Sequence, residues 1–284
     1  MFKATTAPQD PMILQFVPIL TQACEILREE YQRYCSGGAF DIERKSDDSP
    51  VTQADYRVNT YITDALAKIS DLPLLSEEGQ NHQRKAWRAF WLLDPLDGTK
   101  EFLHKRPEFT INLSLVKGST TVFAILAVPA QQIIYFCPEV GMPLKYNYQK
   151  DEWQLYQKQQ ITNSEIKVGL SHSGQQKGQY YNYLKALSQL TGYVEVKSGS
   201  AYKFCLMLEG EVDLYPRFHP TSEWDTSAGQ CMLERIGGGL IDFQQRPFLY
   251  NQRDELLNGG FIAFKDEKTK HLAFQALAII RSDD

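Results

Sequence analysis

The chain has 284 residues, 43% of them hydrophobic and 23% charged, with a formal net charge of −5. That length can bury one large core or two closely packed halves, and the composition is that of an ordinary soluble globular protein. Net negative charge argues against binding to a nucleic-acid backbone, which needs a basic face, although a single basic pocket would still suffice for a small anion. No run approaches the roughly 20 apolar residues of a membrane span, so no transmembrane segment is expected.

The cysteines Cys24, Cys35, Cys137, Cys205 and Cys231 form no CxxC pair. The N-terminal MFKATTAPQDP has neither the apolar stretch nor the small-residue cleavage site of a secretory leader. Buried, reduced thiols in a cytoplasmic protein are the expectation, with peripheral association at the inner membrane left open.

In chain order, Met12–Tyr34 carries a helical stripe of Ile13, Phe16, Leu20, Cys24, Leu27 and Tyr31, ended by Ser36-Gly37-Gly38. Residues 41–50 read as a charged loop. Thr52 opens a second helix through Ile69. Leu74-Leu75 and Phe90–Leu93 read as strands, and Thr110–Val116, Thr121–Val128 and Ile133–Cys137 as an antiparallel meander turning first at Lys117-Gly118-Ser119. The polar stretch 145–165 marks the boundary between halves 1–160 (α+β) and 161–284 (alternating α/β). In the second half, strands are expected at Lys167–Leu170, Val212–Tyr215, Leu240–Phe243 and Phe261–Phe264. Helices are expected at Tyr180–Leu190, Ala201–Glu209, Asp225–Ile236 and Lys268–Arg281, with Gly237-Gly238-Gly239 stopping the third.

The chemistry concentrates at Trp91-Leu92-Leu93-Asp94-Pro95-Leu96-Asp97-Gly98-Thr99. An apolar strand ends in two carboxylates, Pro95 stiffens the chain between them, and Gly98 permits a tight turn. Asp94, Asp97, the Thr99 hydroxyl and the Leu96 carbonyl are the oxygen donors a hard cation such as Mg²⁺ takes, without the histidine and cysteine cluster of a zinc site. Glu77, in Ser76-Glu77-Glu78-Gly79, follows another apolar strand and can reach the same edge. Asp225, in Glu223-Trp224-Asp225-Thr226, opens a helix. Taken singly, each has a plainer reading: a helix cap for the Asp-x-x-Asp loop, a solvated turn for Glu77, an N-cap for Asp225.

Together, Leu93-Asp94-Pro95-Leu96-Asp97-Gly98-Thr99, the preceding Glu77-Glu78 and the following Glu223-Trp224-Asp225-Thr226-Ser227-Ala228-Gly229 resemble the inositol monophosphatase superfamily in order and separation. The resemblance covers nearly the whole chain. It implies an α/β (α+β) fold layered as an αβαβα sandwich, whose second half completes the active-site cleft. It also implies hydrolysis of a phosphate monoester with two to three Mg²⁺ ions and inhibition by Li⁺. Carried over by position, Glu77, Asp94, Leu96, Asp97 and Asp225 would be metal ligands. Glu77 and an Asp55–Thr99 pair would activate water, and backbone N–H groups near Gly98-Thr99 would hold phosphate oxygens.

Two further segments, Ser198-Gly199-Ser200-Ala201-Tyr202-Lys203-Phe204-Cys205 and Val212-Asp213-Leu214-Tyr215-Pro216-Arg217, resemble the CysQ-type 3'(2'),5'-bisphosphate nucleotidases within that superfamily. The implied substrate is 3'-phosphoadenosine 5'-phosphate. Ser200, Lys203 and Arg217 would bind its non-reacting phosphate, together with Glu77, Leu96, Asp97, Gly98, Thr99 and Asp225 around the reacting one. Lys203 also reads as an exposed helix cation and Arg217 as a loop charge. In Leu170-Ser171-His172-Ser173-Gly174 the chain departs from the Ser-Arg-Ser-His run of many relatives, and His172 reads more simply as structural. His104-Lys105-Arg106 reads as a solvated face and Tyr180-Tyr181-Asn182-Tyr183 as helix packing. The competing functions are an inositol-1-monophosphatase or broad sugar-phosphate phosphatase, which needs no Lys203–Arg217 pair, and a non-catalytic nucleotide-sensing protein.

Overall fold

A computed structural model of the chain describes residues 1–38, 42–44, 50–79, 83–158, 165–172 and 178–283. The first part contains β1 (Phe2–Thr5), β2 (Ile42–Arg44), β3 (Pro50–Thr52), β4 (Leu74–Ser76), β5 (Ala89–Asp97), β6 (Thr110–Lys117), β7 (Thr120–Val128), β8 (Ile133–Cys137), β9 (Leu144–Asn147) and β10 (Glu152–Tyr156). Its helices are α1 (Pro11–Cys35), α2 (Gln53–Ile69) and α3 (Thr99–Leu103). Eight of these strands form one sheet in the order β1-β10-β9-β8-β7-β6-β5-β4, antiparallel throughout except for the parallel pair β4–β5. Within the expected loop at 41–50, residues 42–44 pair with Pro50–Thr52, while residues 41 and 45–49 lie outside the described residues.

The second part contains β11 (Glu165–Leu170), β12 (Gly192–Lys197), β13 (Leu214–Arg217), β14 (Thr221–Ser222), β15 (Gly239–Asp242), β16 (Leu257–Asn258) and β17 (Phe261–Phe264), with α4 (Gln179–Leu190), α5 (Tyr202–Leu208), α6 (Glu223–Ile236) and α7 (Glu267–Asp283). A mixed sheet runs β12-β11-β13-β17-β15, and β14 pairs with β16 as a separate ribbon. The meander β6–β7–β8, the turn at Gly118 (φ +66°) and the αL stop at Gly237 (φ +91°) all stand where the sequence expects them.

Alternation along the strands explains the layering. In β5, Trp91 and Leu93 join one core with Phe16, Leu20 and Leu27 of α1 and Val58 and Ile62 of α2. Phe90 and Leu92 face the opposite way, into a core with Phe204 and Leu208 of α5 and Met232 and Leu233 of α6. Leu240, Phe261 and Ala263 of the second sheet close that same core from the other side, while Ile241, Ile262 and Phe264 pack on Tyr183 and Leu187 of α4 and Ala273 and Leu277 of α7. The order is therefore α1α2, sheet, α5α6, sheet, α4α7: an αβαβα sandwich. Strands covered on both faces read as unbroken apolar runs.

The middle layer is tight. A methyl group on Gly229 of α6 would overlap the Phe204 ring of α5. Gly229→Ala is expected to lower unfolding stability by about 1–3 kcal/mol, the usual penalty for overpacking, readable as a reduced denaturant midpoint.

Candidate active site

The acidic groups reach the site from four elements: Asp94 and Asp97 from β5, Glu77 from just beyond β4, Asp55 from α2 and Asp225 from α6. β5 does not stop before Asp94; it continues to Asp97, with a register shift against β6 between the two aspartates. That irregularity, imposed where Pro95 has no N–H for the ladder, brings both carboxylates to the same end of the strand. Gly98 then adopts φ +98°, and a β-carbon there would crowd the Glu108 carbonyl (3.2 Å) and the Phe109 α-carbon (3.3 Å). Thr99 begins α3, and its hydroxyl donates to the Leu96 carbonyl (3.2 Å) and towards Asp55 Oδ1 (3.4 Å).

Two capping boxes supply further acids. Asp55 is the third residue of α2, and its Oδ2 accepts from the Thr52 N–H (2.8 Å) and Thr52 hydroxyl (2.6 Å). Asp225 occupies the equivalent position in α6, accepting from Ser222 N–H at 2.8 Å. The sequence expects Asp225 itself to be the N-cap; Ser222 is, because α6 begins at Glu223. In both boxes one carboxylate oxygen serves the helix and leaves the other available to the site. Glu77, just beyond β4, is fixed by its N–H to the Leu93 carbonyl (3.1 Å).

Asp94, Asp97 and Asp225 each place an oxygen within 4.8 Å of the other two. Asp94 Oδ1 accepts from Leu96 N–H at 3.0 Å, and Asp97 Oδ2 accepts from Ala201 N–H at 2.7 Å and the Asn112 amide at 3.2 Å. Burial and the neighbouring carboxylates hold Asp94 well above the usual range, with Glu77 foremost among those neighbours. Asp225 is likewise raised by desolvation and by Asp97 and Glu77. Burial pushes Asp97 up to about 6 against the opposing pull of Ala201 N–H, Asn112 and Lys203. Asp55 is pushed up to about 7 by burial, aided by Glu78 and Glu77. Carboxylates gathered in this way repel one another unless a cation joins them. The donors are all oxygen, which fits a hard divalent ion.

Beside this centre lies a basic pair. Lys203 is completely buried rather than an exposed helix cation, because α5 is enclosed between two sheets. Its ammonium donates to the Ser198 carbonyl at 2.9 Å and sits 4.7 Å over the Tyr215 ring. Burial and the Arg217 charge lower its pKa to about 7, opposed by Asp97, Glu101 and Glu108. Arg217 ends β13, donates to the Ser171 hydroxyl at 3.3 Å, and keeps a buried Nε–H without a hydrogen-bond partner among the described residues. Ser200 stands in the turn before α5 at φ +38°, a conformation rare outside glycine.

The other sequence candidates have local roles. Lys105 donates to the Cys35 carbonyl (3.2 Å) and lies over Tyr34, His104 contacts the Lys100 carbonyl (2.6 Å), and Tyr180 and Tyr183 pack in the outer core. His172 pairs with Glu108 at 2.5 Å; Ser173 and Gly174 lie outside the described residues. Sequence reasoning missed Asn112, Glu108 and the Ala201 N–H. The Asn112 signal was present, as a polar residue inside the apolar run Thr110–Val116.

A five-layer sandwich with an all-oxygen acidic centre at one edge of its first sheet belongs with the metal-dependent phosphatase folds. The Inositol monophosphatase family matches residues 9–279, and the chain is a member of that family. It is 34% identical over 253 residues to the 3'(2'),5'-bisphosphate nucleotidase CysQ of Salmonella typhimurium, covering 86% of this chain and 98% of that one. The CysQ of Buchnera aphidicola is 30% identical over 262 residues, covering 86% and 93%. Among solved structures, CysQ from Bacteroides thetaiotaomicron superposes with a TM-score of 0.73 at 29% identity, over 89% of this chain and 97% of that chain. An inositol monophosphatase from Zymomonas mobilis shares the fold with the same TM-score, 0.73, at 20% identity, over 96% and 100%. Among the described residues no helix is long and apolar enough to cross a membrane.

Proposed function

We propose that the protein is a Mg²⁺-dependent phosphatase that hydrolyses the 3'-phosphate of 3'-phosphoadenosine 5'-phosphate, giving AMP and inorganic phosphate. The observation that carries this reading is the juxtaposition of opposite charges: Asp97 and Asp225 on one side, Lys203 and Arg217 on the other, each near enough to shift its neighbours' protonation. A substrate with two phosphates uses both sides; a monophosphate needs only the acidic one. The close relationship to CysQ nucleotidases of 34% identity points the same way.

Glu77, Asp94, Asp97, Asp225 and the Leu96 carbonyl would hold the ions, two or three in number. When bound, Mg²⁺ supplies Lewis-acid charge at the phosphoryl oxygens and acidifies water. The chain's own part is proton handling and orientation. The Thr99 hydroxyl, bridged to Asp55, would accept a proton from the attacking water and pass it to that carboxylate, which burial tunes to about 7. Glu77 would fix the water on the same edge. Arg217 presents its unpartnered Nε–H and a fork of donors to the spectator phosphate. Lys203, being covered, would act through the Ser198 carbonyl and its field, with Ser200 at the rim. In this reading the halves 1–160 and 161–284 contribute the acidic and basic sides respectively, with Asp225 crossing over. The deciding experiment is a phosphate-release comparison. Turnover of the bisphosphonucleotide should exceed that of inositol 1-phosphate; equal kcat/KM on the two substrates would defeat the assignment.

Metal binding requires deprotonated carboxylates, which gives a pH prediction with a definite sign. Groups raised from 3.8, to about 6 for Asp97 and about 7 for Asp55, stabilise the metal-free fold at low pH and withdraw that stability as pH rises through the folded values. Added Mg²⁺ is therefore expected to raise the melting temperature strongly near pH 8 and scarcely near pH 5. A pH-independent shift would contradict this.

A further inference from the structure

Building on the phosphatase reading, we propose that Glu108 is a positioning residue that ties the turn bearing the substrate-side groups to the carboxylate centre. Its side chain has no place in the ligand set. Yet one oxygen, Oε2, accepts from two separate segments: His172 Nε2 at the end of β11 (2.5 Å) and the Gly199 N–H (2.9 Å). The Glu108 carbonyl packs against the same two glycines that shape the site. A β-carbon would lie 3.2 Å from it at Gly98 and 2.8 Å from it at Gly199.

What hangs on Gly199 makes this contact consequential. The turn 198–201 is held at one end by Ser198 N–H to the Leu170 carbonyl (2.9 Å) and at the other by Ala201 N–H to Asp97 Oδ2 (2.7 Å). Between them Ser200 sits at φ +38°, a strained conformation that persists only where surrounding contacts over-determine it. The Ser198 carbonyl also receives the Lys203 ammonium at 2.9 Å. Release of Gly199 would let the turn relax, moving the Ala201 donor that aims Asp97 and the carbonyl that seats Lys203. A single carboxylate thus sets both the metal-side and phosphate-side geometry through the backbone of the 198–201 turn.

The tie to Gly199 needs an acceptor at a fixed reach, whereas the negative charge adds only to the field on Lys203, which separates the variants. Glu108→Gln keeps the acceptor and should hold kcat/KM within about three-fold of wild type, since a neutral hydrogen bond replaces a charged one. Glu108→Asp keeps the charge but withdraws the oxygen, and Glu108→Ala removes both. Each should lower kcat/KM for the bisphosphate about 10–100-fold, the usual effect of a group supporting a metal ligand, and weaken Mg²⁺ binding about ten-fold by calorimetry. If Glu108→Ala does not fold, the Gln and Asp pair decides. The proposal is overturned if Glu108→Asp matches wild type in rate and Mg²⁺ affinity, or if Glu108→Gln loses as much as Glu108→Asp. Wild-type protein that releases phosphate from no substrate would sink the phosphatase reading instead, and the Mg²⁺ titrations would still judge Glu108.

Discussion

Asp97→Asn is expected to reduce kcat/KM on the order of 10³-fold or more while leaving the metal-free fold equally or more heat-stable. The loss follows from removing a charge in the metal-holding group; Lewis-acid stabilisation is worth several kcal/mol, at about 1.4 kcal/mol per decade of rate. The gain in stability has its own cause. Asp97 lies within 4.8 Å of Asp94 and Asp225, and its pKa is raised to about 6 by burial, so its ionised form destabilises the metal-free fold. An amide can turn its oxygen to the Ala201 N–H and so keep the local hydrogen bond. Phosphate-release kinetics paired with thermal denaturation in chelator would check both halves. A variant that is active, or one that loses heat stability along with activity, would speak against the charge argument.

Arg217→Ala is the second large effect, and it should be selective. Its Nε–H has no protein partner among the described residues, and its bond to Ser171 is long at 3.3 Å. The guanidinium therefore has donors to spare. Charge-assisted hydrogen bonds are worth roughly 1.5–3 kcal/mol, so KM for the bisphosphate should rise about 10–100-fold. KM for inositol 1-phosphate should move by less than about three-fold, because nothing in that substrate meets the basic side. Parallel losses on both substrates would mean that Arg217 supports the fold or the acidic centre instead. Lys203→Met, which keeps the volume of a fully buried side chain, should show the same selectivity at smaller amplitude.

The acidic loop was legible because its local grammar is strong: an apolar strand, a proline between carboxylates, and a glycine whose φ of +98° other residues avoid. Less could be read of how β5 behaves there. The strand carries on through Asp94 to Asp97 instead of ending, since β6 supplies Asn112 and Thr110 as partners across the bulge. Only tertiary pairing reveals that. Asp225 looked like a cap because, in a capping box, the residue at the third helical position is chemically a cap too.

Edges and depth were harder. β1, β10 and β12 escaped because they are short and half-solvated; the burial of β12 alternates poorly, with Glu195 and Lys197 exposed. The polar stretch 145–165 holds most of the strand pair β9–β10, whose mixture of Lys, Gln and Tyr reads locally as irregular chain. Lys203 shows the limit most clearly. Seven residues of helix cannot say whether both faces will be covered, and it took two sheets to bury that ammonium. Glu108 was invisible for a related reason, since its partners His172 and Gly199 are remote in sequence and join it only when β11 and the 198–201 turn come together.

Calorimetric titration of Mg²⁺ into metal-free protein addresses the acidic centre without any assumption about substrate. Near neutral pH the heats should show saturable binding of at least one ion, which Asp97→Asn abolishes and which weakens as pH falls below about 6. Full turnover by a protein that takes up no Mg²⁺, or uptake indifferent to Asp97, would contradict the idea that these carboxylates meet in order to hold a cation.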